Sequence, residues 1–146
     1  MKIYVVSRKF IKMFSANDSF FLRNNFVSIG EVEGYEGVPV DGENILKLVF
    51  DDASDNEENV NLFTEKHADR IKEFAERIDQ SKTLYINCQA GISRSGAVGT
   101  VLNDYFNLFL QDCKRTKDWY DFFADNRQIQ PNAYVMRILR KTMGLV

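Results

Sequence analysis

A chain of 146 residues with 45% hydrophobic and 27% charged residues carries enough apolar side chain to build one buried core, and is not a disordered segment. The formal charge of −2 provides no electrostatic case for nucleic acid as the main partner. Two cysteines without pairing logic, no long apolar run, and an N-terminal stretch Met1–Val6 too short for a secretory signal point to a reducing cytoplasm and a single domain over residues 1–146, away from membranes. A monomer is expected, although the sequence does not set the oligomeric state.

In chain order, Ile3–Val6 is a β-branched and aromatic run that predicts a strand. Lys9–Asn25 interleaves Lys9, Lys12 and Arg23 with Phe10, Phe14, Phe20 and Phe21, which reads as an amphipathic packing element, with substrate binding as the alternative. Phe26–Ile29 predicts a second strand closed by Gly30, and Glu31–Asn44, with Gly34, Gly37, Pro39 and Gly42, predicts a loop. Ile45–Phe50 is a third strand running into the acidic turn Asp51-Asp52-Ala53-Ser54-Asp55-Asn56. From Glu57 to Asp79 the period changes: Val60, Phe63, His67, Ile71, Phe74 and Ile78 mark one face of an amphipathic helix. Thr83–Asn87 is a nearly all-apolar fourth strand, expected to be buried on both faces. Ser95–Leu110 predicts a helix with Val98, Val101, Leu102, Tyr105, Phe106 and Phe109 inward. Trp119–Phe123 is a shorter helical piece, and Pro131 opens the first turn of a last helix carrying Tyr134, Val135, Ile138 and Leu139. This succession predicts an α/β fold with a largely parallel four- to five-stranded sheet flanked by helices.

Between the fourth strand and its helix lies Asn87-Cys88-Gln89-Ala90-Gly91-Ile92-Ser93-Arg94-Ser95. A cysteine six residues before an arginine, with a glycine between, suits a loop wrapped around a phosphate. Inward N–H groups and the positive end of a helix dipole make the anion site. The same donors stabilise a thiolate, so Cys88 becomes a nucleophile near neutral pH. Arg94 offers a planar fork matching two phosphate oxygens, and the N–H groups of Gln89, Ala90, Gly91, Ile92, Ser93 and Arg94 supply the other donors. Gly91 permits the sharp turn, and a side chain there would be expected to block the anion. Ser95 has two open roles, donation to the sulfur or helix capping. The location beyond the carboxyl end of a strand is where such sheets bind ligands.

Cys-x5-Arg-Ser resembles the signature of the cysteine-dependent protein tyrosine phosphatases, and Cys-Gln-Ala-Gly-Ile-Ser-Arg-Ser is similar to the dual-specificity branch. The resemblance covers roughly residues 45–143 and implies a protein phosphatase working through a phosphocysteine. It also implies an aspartate, on a loop upstream of the cysteine, that protonates the leaving group. Asp52 is the first candidate, then Asp51 and Asp55. The family normally has histidine where Asn87 stands. Asparagine can hydrogen-bond backbone but brings no positive charge, which predicts a less acidic thiol. Pro131-Asn132 resembles a structural pair opening a late helix in the same phosphatases.

A phosphorylated protein or peptide is therefore the expected partner, and no cofactor is expected. Neutral Ala90 and Ile92 count against a polyphosphorylated lipid, because phosphoinositide-directed relatives place lysines inside the loop. The rival readings are a pseudophosphatase that binds phosphoproteins with little turnover, supported by Asn87, and a rhodanese- or arsenate-reductase-like enzyme. His67 reads as a core or boundary histidine, since no acid or cysteine stands at ligand spacing, and no metal site is expected. Cys113, in a polar stretch, reads as an idle thiol.

Overall fold

The computed structural model describes residues 1–54, 57–109 and 111–145. Four strands, β1 (Ile3–Ser7), β2 (Asn25–Gly30), β3 (Ile45–Val49) and β4 (Leu84–Cys88), form one sheet in the order β1-β4-β2-β3. All three pairings are parallel, so every strand delivers its following loop to the same edge. The central position belongs to β4, with Ser7 beside Cys88 on one flank and Ser28 beside Asn87 on the other.

Strand alternation sorts the side chains onto two faces. Val5, Val27, Ile29, Leu48, Leu84 and Ile86 join the larger core cluster, which four helices supply. These are α3 (Glu65–Arg77), α4 (Arg94–Asn107), α5 (Lys117–Asp125) and α6 (Ala133–Thr142). Each fully buried Phe or Ile of this face, such as Phe74 and Ile71, stabilises the fold by roughly 1.5–3 kcal/mol. Two short helices, α1 (Arg8–Lys12) and α2 (Asp18–Arg23), cover the opposite face. There Phe10, Phe14, Phe20 and Phe26 stack among themselves and on Tyr85. The basic-aromatic segment is thus a packing element.

Several boundaries differ from expectation, each for a tertiary reason. The stretch before Glu65 is not helical. Asp51 N–H donates to Asn61 O at 2.7 Å and Asn61 N–H donates to Asp51 Oδ2 at 2.8 Å, which holds residues near 61 extended beside the end of β3. Thr64 then starts α3 as its N-cap. The helix α4 stops at Asn107, whose amide nitrogen reaches Met1 O at 2.9 Å, and the chain turns into a two-stranded ribbon. Its strands are β5 (Leu108–Phe109) and β6 (Lys114–Arg115), and Phe109 is exposed there rather than inward. Pro131 stands outside α6, because Asn132 is the N-cap and its side-chain oxygen accepts from the N–H groups of Tyr134 and Val135. Cys113 is a free, exposed thiol at φ 52°. Among the described residues, no helix is long and apolar enough to cross a membrane.

Candidate active site

The end of β4 carries Cys88, which is only 2% exposed. Residues 89–93 then fold back so that Arg94 opens α4. The shape of this loop follows from where its carbonyls go. Arg8 N–H donates to Gln89 O at 3.1 Å, Gln128 Nε2 to Gly91 O at 3.2 Å, Gln130 N–H to Ile92 O at 3.0 Å, and Asn132 N–H to Ser93 O at 3.1 Å. With four carbonyls engaged by β1's exit and by residues 128–132, the N–H groups of Gly91 and Ile92 are free to turn to Cys88. Ser93 is the N-cap of α4 but makes no side-chain cap bond, so its hydroxyl does not compete for the first-turn donors.

Gly91 takes the sharp turn expected of it, but what a side chain would meet there is different. Its φ is +71°, and a Cβ there would lie 2.5 Å from the Val6 carbonyl carbon and 2.7 Å from the Ser7 nitrogen. A side chain would therefore strike the backbone of β1 before it reached an anion.

Ser95 Oγ lies 3.0 Å from Cys88 Sγ. Burial alone would raise the thiol, but the Ser95 hydroxyl and the N–H groups of Ser95, Ile92 and Gly91 outweigh it, holding Cys88 below the ordinary cysteine value. Asn87 itself is 1% exposed, and neither its Oδ1 nor its Nδ2 has a hydrogen-bond partner, contrary to the expected backbone bond.

Arg94 is 5% exposed and held at two points. Nη1 donates to Phe50 O at 2.9 Å and Nη2 to Glu31 Oε1 at 3.0 Å. Two of its five N–H groups are thereby spent on orientation, and three remain. Glu31 was not among the candidates, although it stands one residue beyond the strand that neighbours β4. Its second oxygen accepts from Arg8 Nη2. Burial alone would raise the Glu31 carboxyl; the hydrogen bonds and charges of Arg94 and Arg8 hold it below the ordinary carboxylate value.

Of the three acids, Asp52 stands against the loop: its Oδ1 accepts from Ser93 Oγ at 2.8 Å and from Asn132 Nδ2 at 2.9 Å. Asp51 is taken up by Asn61, and Asp55 lies outside the described residues. Asn132 also donates to Ala53 O at 3.1 Å, so the residue that caps α6 ties down the acidic turn as well.

His67 sits half-buried behind that turn. Its Nε2 is 3.0 Å from Val49 O, and its Nδ1 accepts from the Thr64 N–H at 2.9 Å. Both contacts suit a neutral ring with the proton on Nε2, since a second proton on Nδ1 would face the Thr64 donor. Burial lowers its pKa despite the Val49 carbonyl, which raises it. A depressed base favours folding above the unfolded value, about 6.5, and that stability is lost as pH falls toward the folded pKa. Melting temperature should therefore decline below about pH 6.5, by a few degrees at most given the ring's partial exposure. His67→Gln should flatten the decline in thermal melts from pH 7.5 to 5; an unchanged slope would assign it to other groups. Among the described residues, no cluster of His, Cys, Asp or Glu could hold a metal ion.

The four-stranded parallel sheet and its flanking helices form a fold shared with solved phosphatase structures. Human DUSP28 matches at 14% identity over 97% of this chain and 91% of that one, with a TM-score of 0.58. A human tyrosine phosphatase-like serine/threonine/tyrosine-interacting protein matches at 15% identity over 95% and 85%, with a TM-score of 0.54. PTPMT1, solved in complex with PI(5)P, matches at 10% identity over 98% and 90%, with a TM-score of 0.55. No family model matches the chain. No curated protein matches it by sequence.

Proposed function

We propose that this protein is a metal-independent phosphatase that hydrolyses phosphotyrosine, and phosphoserine or phosphothreonine, on a protein or peptide in a reducing cytoplasm. The observation that carries the reading is the buried Cys88 thiol 3.0 Å from the Ser95 hydroxyl at the start of the helix whose Arg94 is anchored on Phe50 and Glu31. A phosphate monoester is mostly a dianion near neutral pH, so the site must cancel charge, supply a nucleophile and protonate the departing oxygen.

In the first step the Cys88 thiolate attacks phosphorus. The S–P bond forms as the P–O bond to the substrate breaks, and Asp52 gives its proton to the departing oxygen. Oδ1 of Asp52 is taken by Ser93 and Asn132, so Oδ2 is the oxygen that carries this proton. In the second step the Asp52 carboxylate removes a proton from water, the water oxygen attacks phosphorus, and the S–P bond breaks. The electron pair returns to sulfur, where the Ser95 hydroxyl supports the thiolate. The products are the free hydroxyl of the substrate and inorganic phosphate, and the enzyme is restored.

Asp52→Asn tests the assignment of the acid. Turnover of an alkyl or phenyl phosphate should fall by about 10²–10³-fold, with a much smaller loss for a nitrophenyl ester whose leaving group needs no proton. Equal losses on both esters would move the acid role to Asp51 or Asp55.

One observation favours a second reading. The unpartnered, buried Asn87 amide lies directly before the nucleophile, and such a group costs about 1–3 kcal/mol. A binding module that holds phosphoproteins without turning them over would tolerate that, and one similar structure is described as phosphatase-like. Folded protein that binds a phosphopeptide but releases no phosphate at any pH would establish it. A phosphoinositide fits less well, because Ala90 and Ile92 bring no positive charge into the loop.

A further inference from the structure

The two strands that flank β4 end in opposite charges that meet beside the loop. β1 runs straight into Arg8, and β2 runs into Glu31. Arg8 donates its backbone N–H to Gln89 O at 3.1 Å, its Nε to Glu36 O at 3.1 Å and its Nη2 to Glu31, and its Nη1 lies 3.6 Å from the Glu36 carboxylate, which Lys12 also neutralises. The Arg8 side chain is 13% exposed, and that of Glu31 is 28% exposed. Glu31 thus stands between two guanidiniums, one oxygen on Arg8 and the other on Arg94.

That arrangement contains a conflict. A carboxylate bound to Arg94 orients the fork, yet it also competes with an incoming dianion for the same positive charge. The conflict is relieved only if a second cation answers the carboxylate. We propose that Arg8 is a positioning residue for the active site: by holding Glu31 it makes that carboxylate an anchor for Arg94 instead of a rival of the phosphate. This rests on the reading of the Cys88 loop as a phosphate site. Arg8, Lys12 and Arg94 set against Glu31 and Glu36 leave one net positive charge in the connected group, and removal of Arg8 would bring it to zero beside the point where the dianion binds.

The test is a double-mutant cycle read by calorimetric titration with inorganic phosphate and by the KM for an aryl phosphate. Arg8→Gln should weaken phosphate binding and raise KM by about tenfold, with a smaller change in kcat. Adding Glu31→Gln to Arg8→Gln should recover most of that loss, because the competing charge goes while the amide oxygen still accepts from Arg94. Arg8→Lys keeps the charge without the fork and should stay within about threefold of the unaltered protein. A purely structural Arg8 would not be rescued by a second substitution next to it. Arg8→Gln binding as tightly as the unaltered protein, a double variant no better than Arg8→Gln, or Arg8→Lys as weak as Arg8→Gln would each overturn the proposal. Unaltered, folded protein that neither binds phosphate nor turns over the ester would instead overturn the phosphatase reading beneath it.

Discussion

Cys88→Ser should lower turnover of an aryl phosphate by about 10⁴-fold or more while leaving phosphopeptide binding intact. The serine hydroxyl is close to the thiol in shape, so the ring of donors and the bracing from residues 128–132 persist. What disappears is the anion. Against the effect of burial, the contacts from Ser95, Ile92 and Gly91 bring a thiol below its ordinary value, but a serine hydroxyl starts far above any pH at which the fold survives. Phosphate release and phosphopeptide affinity should be measured on the same preparation. Substantial turnover in Cys88→Ser would remove the covalent mechanism, and lost binding with retained fold would mean that the thiolate, not the backbone, holds the substrate.

The second large effect is expected from Arg94→Lys, with kcat/KM lower by about 10²–10³-fold. A lysine keeps the charge, but its single ammonium cannot reach Phe50 O, Glu31 Oε1 and two phosphate oxygens together. The buried carbonyl of Phe50 would lose its donor, which costs about 1–3 kcal/mol and should lower the melting temperature by several degrees. Kinetics and melting are therefore read together. A variant retaining more than a tenth of the activity would show that charge alone, without the fork, suffices.

The four strands, the three longer helices and the loop between β4 and α4 were legible because each is signalled within a short window by periodicity or spacing. The end of the helix expected from Glu57 shows the limit of that signal. Val60 and Phe63 continue the apolar stripe, yet Asp51 captures Asn61 and the helix waits for Thr64. Similarly, Phe109 fits the inward face of α4 by spacing, but Asn107 is drawn to Met1 and the chain leaves the helix first. Both competitors come from distant sequence, where a local pattern carries no information.

The same division runs through the site. By itself the sequence determined which residues sit on the loop, because Cys88, Gly91, Arg94 and Ser95 lie within one turn-sized segment whose spacing is its geometry. Asp52 was the first candidate of its acidic turn, and its bonds to Ser93 and Asn132 are what sets it against the loop while Asp51 is held by Asn61. Tertiary structure alone decided that Glu31 and Arg8 meet beside Arg94, that residues 128–132 engage the loop carbonyls, and that Asn87 is left without a partner. These outcomes depend on strand order. Once β4 lies between β1 and β2 in a parallel sheet, the residues just beyond each strand become neighbours, and nothing in the spacing along the chain records which strands will lie side by side.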